Sequence, residues 1–218
     1  MGVGIPIDLI RGFLWLGVGT SLGAMLGSFA NVCIYRVPRG KSVVLPRSRC
    51  PRCHGAIAWF QNIPVVSYLI LSGKCAHCHS SISPRYALVE LLMAGLVGLA
   101  FARGLGRIDL LLGILLTFVL VVVSVIDLDF RIIPDVFSFG LLGTALAVSP
   151  LNGALGVAGL ERAASSLLGA GVGFLSAWLM AEVGRRVFRR EALGGGDVKL
   201  LAGLGALSLI HIFSIGRF

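Results

Sequence analysis

Charge is scarce in this chain. Of its 218 residues, 13% are Asp, Glu, Lys or Arg, and only ten are acidic, against about 25% charged residues in an average soluble domain. With 56% hydrophobic residues and a mean hydropathy of +0.94, too little polar surface remains to cover a soluble core. The same apolar content excludes a disordered chain. Five cysteines are too few for a disulfide-packed secreted miniprotein. No small-residue cleavage site follows the first apolar run, which therefore reads as a retained signal anchor. No internal repeat is evident either.

What is present is a series of long apolar runs, with 30 glycines that would let membrane helices approach closely. About 20 apolar residues cross a bilayer. The expected spans are about Gly12–Ile34, Tyr86–Ala102, Leu110–Ile126, Val136–Ser149, Ala163–Val183 and Val198–Phe213. The fold class is thus an all-α polytopic membrane protein of about six transmembrane helices, with a small cytoplasmic zinc-ribbon-like insert.

The net charge is +9, and its position matters more than its sum. Residues 36–85 hold Arg36, Arg39, Lys41, Arg47, Arg49, Arg52, Lys74 and Arg85 and no acid, so the positive-inside rule puts this insert in the cytoplasm. Counting spans from there also places Asp127–Asp135 inside, together with the loop bearing Arg185, Arg186, Arg189, Arg190 and Lys199. Two basic loops agree on one topology, with the amino terminus outside.

The insert contains Cys50-Pro-Arg-Cys53 and Cys75-Ala-His-Cys78, 21 residues apart. Two such knuckles at this distance close a tetrahedral zinc site, and a reducing compartment favours metal over disulfides. The expected ligands are Cys50, Cys53, Cys75 and Cys78. His54, His77 and His79 read as solvent-exposed polar residues, and Cys33 as a small packing residue within the first span. Four thiolates leave no open position, so the zinc reads as structural, folding a module of about fifty residues with a thin core. Aromatic residues in the insert are few (Trp59, Phe60 and Tyr68), and no nucleic-acid partner is expected.

With so few acids, each one is informative. Asp127, Asp129 and Asp135 lie in Ile126-Asp-Leu-Asp-Phe-Arg-Ile-Ile-Pro-Asp135, and Asp197 in Leu193-Gly-Gly-Gly-Asp-Val-Lys199. An ionised carboxylate at mid-bilayer costs about 2.5–3.5 kcal/mol on insertion scales, so such groups tend to face a wet cavity or a partner. The topology puts Asp127 and Asp197 at one face, from different spans. If packing brings them together they share a proton, which is the chemistry of an aspartic protease. The competing assignment is interfacial residues and a helix cap at Asp135.

The chain resembles the bacterial type IV prepilin peptidases, intramembrane aspartic proteases with a GxGD motif. The resemblance runs from about Gly27 to Leu204 and rests on several motifs in order. These are Gly27-Ser-Phe-Ala-Asn-Val32 with Arg36-Val-Pro38; the two cysteine pairs; Asn62-Ile-Pro-Val-Val-Ser-Tyr68; Gly73-Lys-Cys75; Ser83-Pro-Arg-Tyr86 leading to Glu90; Ile126-Asp-Leu-Asp129 with Ile133-Pro-Asp135; and Gly194-Gly-Gly-Asp-Val-Lys199. The resemblance implies cleavage of the basic leader of type IV prepilins or pseudopilins after a glycine, on the cytoplasmic side of the bacterial inner membrane, with Asp127 and Asp197 as the catalytic aspartates. It also implies methylation of the new amino terminus with S-adenosylmethionine. It suggests Glu90 as a contact for the leader's basic residues, the alternative being a helix-pairing polar residue, and Lys199 as a group that biases the aspartates or anchors at the interface.

The expected organisation is a first transmembrane helix at 1–35, a four-cysteine zinc-binding insert at 36–85 and a membrane peptidase domain at 86–213. An atypical tail at 207–218 does not look like the family continuation, so the peptidase domain is expected to be truncated. Two alternatives remain open on the sequence: a transporter or channel subunit, and a membrane anchor with a partner-binding zinc ribbon. The first would need discontinuous helices in repeated halves, and the second binding that weakens with salt.

Overall fold

A computed structural model describes residues 7–151, 159–188 and 193–214. Arg189, Arg190 and the last four residues of the tail lie outside the described residues. Among the described residues the chain is helical, without strands: α1 (Ile7–Arg36), α2 (Val66–Ile70), α3 (Arg85–Ala102), α4 (Arg107–Phe130), α5 (Asp135–Val148), α6 (Gly159–Phe188) and α7 (Gly195–Ser214). Each expected span is present as a helix. Four of them, over Arg11–Arg39, Arg85–Ala102, Arg107–Phe130 and Gly159–Val187, are long and apolar enough to cross a membrane. Helix α5 has 14 residues, a length of about 21 Å against a hydrocarbon core of about 30 Å.

Helix α4 continues through Phe130, so Asp127 and Asp129 lie in its last turn and not in a loop. Nothing in the sequence stops the helix earlier. It ends where Arg131 turns left-handed (φ 53°), its amide still bonded to the Asp127 carbonyl at 2.8 Å. Pro134 then disfavours helix for the residue before it.

The chain divides into two compact units, residues 1–125 and 126–218. In the first, α1 and α3 pack through glycine. A Cβ at Gly27 would lie 2.7 Å from Glu90 Cα, and one at Gly23 would fall on the Met93 backbone. This is the close approach that small residues permit in a bilayer, where apolar burial alone gives helices little reason to associate. Met93, Val97, Ala30 and Cys33 are buried, and the Asn31 side-chain amide donates to the Tyr86 carbonyl at 2.9 Å.

In the second unit, α7 packs on α6 and α5. A Cβ at Gly205 would fall on the Gly169 carbonyl, and one at Gly173 on that of Leu201. The buried Ser166 hydroxyl donates to the Ala206 carbonyl at 3.0 Å, tying α6 to α7 with a polar bond as well as with close packing.

Candidate metal centre and active site

The insert is built from two copies of one turn. In the first, the Cys50 amide bonds the Gly55 carbonyl at 3.0 Å and the His54 amide bonds the Cys50 carbonyl at 3.0 Å. In the second, Cys75 bonds Ser80 at 2.9 Å and His79 bonds Cys75 at 3.0 Å. Each turn is closed by a single antiparallel bridge, Arg49 to Ala56 and Lys74 to Ser81. The ribbon expected from the sequence is therefore a pair of knuckles, too short to form strands. His54 and His79 occupy the left-handed position of each turn (φ 57° and 54°), a conformation in which His is enriched, and neither belongs to the thiol cluster.

The four Sγ atoms of Cys50, Cys53, Cys75 and Cys78 lie within 4.8 Å of one another, with Cys50 and Cys78 at 3.9 Å. Zn–S bonds of about 2.3 Å in a tetrahedron require S–S edges of about 3.8 Å, so the donor set fits a zinc ion. The amides of Cys53 and Arg52 lower the Cys50 thiol to about 6, with smaller contributions from Cys75 and Cys53. The Ser80 hydroxyl and amide lower Cys78. The Gly55 amide lowers Cys53 too, but burial and the neighbouring thiols outweigh it and raise Cys53 to about 11. A dication held by these four sulfurs would favour their thiolate forms.

Glu90, on α3, turns toward the insert. Its Oε2 accepts the Val65 amide at 2.7 Å, just where Val65 takes φ 61° ahead of α2. It is a brace between a span and the insert, and the sequence did not point to this partner because it lies 25 residues away.

In the second unit a cleft of about 270 Å³ is lined by Asp127, Arg131, Ile132, Ile133, Asp135 and residues 194–197. Both expected aspartates face it, from the last turn of α4 and the first turn of α7. Asp127 is exposed and Asp197 partly buried. Asp197 Oδ2 accepts the Gly194 amide at 2.9 Å, and the Asp197 amide bonds the Gly194 carbonyl at 3.1 Å. The carboxylate thus caps its own helix, as an acid at the third helical position does.

Of the three glycines before Asp197, a Cβ at Gly196 would lie 2.8 Å from Ile133 Cβ and one at Gly194 3.2 Å from Asp197 Oδ2, whereas one at Gly195 would meet nothing within 4 Å. Lys199 Nζ donates to both oxygens of Asp135, at 2.8 and 2.9 Å. That ion pair was not foreseen, since its members are 64 residues apart.

Residues 21–103 match the Bacterial Peptidase A24 N-terminal domain and residues 114–214 the Type IV leader peptidase family. The chain is 46% identical over 187 residues to a prepilin leader peptidase/N-methyltransferase of Myxococcus xanthus, covering 85% of this chain and 53% of that protein. It therefore spans about half the length of that relative. A protein of the same name from Neisseria gonorrhoeae is 39% identical, covering 85% of this chain and 71% of that protein. A third, from Klebsiella pneumoniae, is 37% identical, covering 89% and 85%. No solved structure matches. On these relatives, the chain belongs to the type IV leader peptidase family of membrane proteins.

Proposed function

We propose that this chain is a multi-pass enzyme of the bacterial inner membrane that cleaves the leader of type IV prepilins or pseudopilins after a glycine, on the cytoplasmic side. Asp127 and Asp197 are the catalytic pair. The observation that carries this reading is that both line one cleft with the Gly194–Gly196 backbone. The cytoplasmic placement follows from the acid-free, basic insert by the positive-inside rule.

The helix ends assign the roles. Asp197 sits in the first turn of α7, where the dipole accommodates a negative charge, and Asp127 in the last turn of α4, where it does not. On that ground Asp197 is assigned as the base that takes up the water proton and Asp127 as the acid. Asp197 takes a proton from water, whose oxygen attacks the scissile carbonyl carbon. Asp127 gives its proton to the carbonyl oxygen, forming a gem-diol. Collapse of the diol breaks the C–N bond, Asp197 returns its proton to the leaving amine, and Asp127 recovers a proton from the diol. One water is consumed per bond cut.

Cys50, Cys53, Cys75 and Cys78 hold a structural zinc, which supplies the folding energy that a thin insert lacks. By the names of its relatives the chain also methylates the new amino terminus, with S-adenosylmethionine as methyl donor; no residue is assigned to that step.

The test is cleavage of a prepilin by the reconstituted protein beside Asp127→Asn and Asp197→Asn, with folding checked by zinc content. Wild type should cut, and both variants should fail while retaining zinc. A variant that still cuts at near the wild-type rate refutes the pairing.

A further inference from the structure

The cleft carries three carboxylates, Asp127, Asp135 and Asp197, and an aspartic mechanism uses two. A third free carboxylate would add negative charge beside the pair and hold protons on it that the base must lose. Lys199 is placed to prevent this. Its ammonium bonds both oxygens of Asp135 and lies 5.4 Å from the centre of the Phe139 ring. Residues two apart on a helix do not face each other, so Lys199 reaches across to α5 and leaves Asp197, two positions before it, to the Gly194 amide.

Other charged groups among the described residues flank the same elements. Arg131 lines the cleft from beyond α4, and Asp129 shares the last turn of that helix. On α6, which packs against α7, Glu182 is engaged by Arg185 and Arg186.

We infer that Lys199 withdraws Asp135 from the acid–base chemistry of the cleft, so that Asp127 and Asp197 alone share the proton. Lys199 and Asp135 are positioning residues in this account, which rests on the catalytic reading above. Their side chains are 37% and 56% exposed, so the effect is partly screened and is best read at low ionic strength.

The experiment is the pH–rate profile of prepilin cleavage for Lys199→Gln, Asp135→Asn and the double variant. Lys199→Gln unmasks a third negative charge and should move the profile up by about half a pH unit. Asp135→Asn frees a cation beside the pair and should move it down by a similar amount. The double variant should return to the wild-type position. A pair that served packing alone would lower the rate in both single variants without opposite shifts, so unmoved profiles, shifts in one direction or a double variant that does not return all overturn the inference. Should Lys199→Gln fail to fold, Asp135→Asn and the double variant still decide it. If wild type cleaves and the Asp127→Asn and Asp197→Asn controls do not, any such failure belongs to the inference alone. If those controls cleave, the catalytic reading falls first and takes the inference with it.

Discussion

Replacing Gly196 by alanine should separate stability from activity. The added Cβ would lie 2.8 Å from Ile133 Cβ and 3.2 Å from the Ile133 carbonyl oxygen. Carbon atoms rest about 3.5–4.0 Å apart, so the first turn of α7 and the segment before α5 must part by about 0.7–1.2 Å. Such overpacking costs about 1–3 kcal/mol. Alanine's better helix preference returns up to about 1 kcal/mol, leaving a net loss of about 0–3 kcal/mol. The displaced turn, however, is the one that carries Asp197. A misplacement of about 1 Å in a catalytic group costs about a hundredfold in rate. Prepilin cleavage by Gly196→Ala should therefore fall by about that factor, while the protein still extracts from membranes as a monodisperse, zinc-loaded species. Gly143→Ala on α5 is the control: it has no neighbour within 4 Å, lies outside the residues lining the cleft, and should cleave normally. If Gly196→Ala cuts at about the wild-type rate, Ile133 does not set the position of Asp197 and the reasoning is wrong.

The remaining expectations concern the first unit. Cys75→Ser should lower bound zinc well below one per chain by atomic absorption and make residues 36–85 sensitive to added protease; full metal occupancy in this variant would remove Cys75 from the ligand set. Chelation of the wild-type protein should expose the same segment, because the two knuckles have few apolar contacts of their own. Glu90→Ala leaves the Val65 amide without its acceptor, a loss of about 1–3 kcal/mol. Hydrogen exchange at that amide should accelerate, whereas Glu90→Gln, which keeps a carbonyl, should protect it largely as before. Unchanged exchange in Glu90→Ala would show that the brace is not formed.

Several features were legible in the sequence because they depend on local pattern. The six apolar runs became helices because a bilayer requires every backbone group to be satisfied within its own segment. The four thiols were readable because each pair needs only one tight turn to present two sulfurs. Asp127 and Asp197 could be named because an acid beside an apolar run is costly and thus conspicuous. The ends of elements were less legible: α4 runs past Asp127 to Phe130 because the signals that stop it, Arg131 and Pro134, come later than the polarity change.

What the sequence could not supply are the partners that lie far apart in the chain. Glu90 read as a substrate contact or a helix-pairing polar residue, and its bond with the Val65 amide was not legible. Lys199 read as a neighbour of Asp197 and holds Asp135. Of the three adjacent glycines, packing puts Gly196 against Ile133 and Gly194 against the Asp197 carboxylate, and leaves Gly195 open. Composition and spacing determined the membrane fold, the four-cysteine cluster and the candidate aspartates, since those follow from solvent and local geometry. That Lys199 pairs with Asp135 was decided only by tertiary packing, because an ion pair or a close approach depends on which helix faces lie together, and no local pattern encodes that.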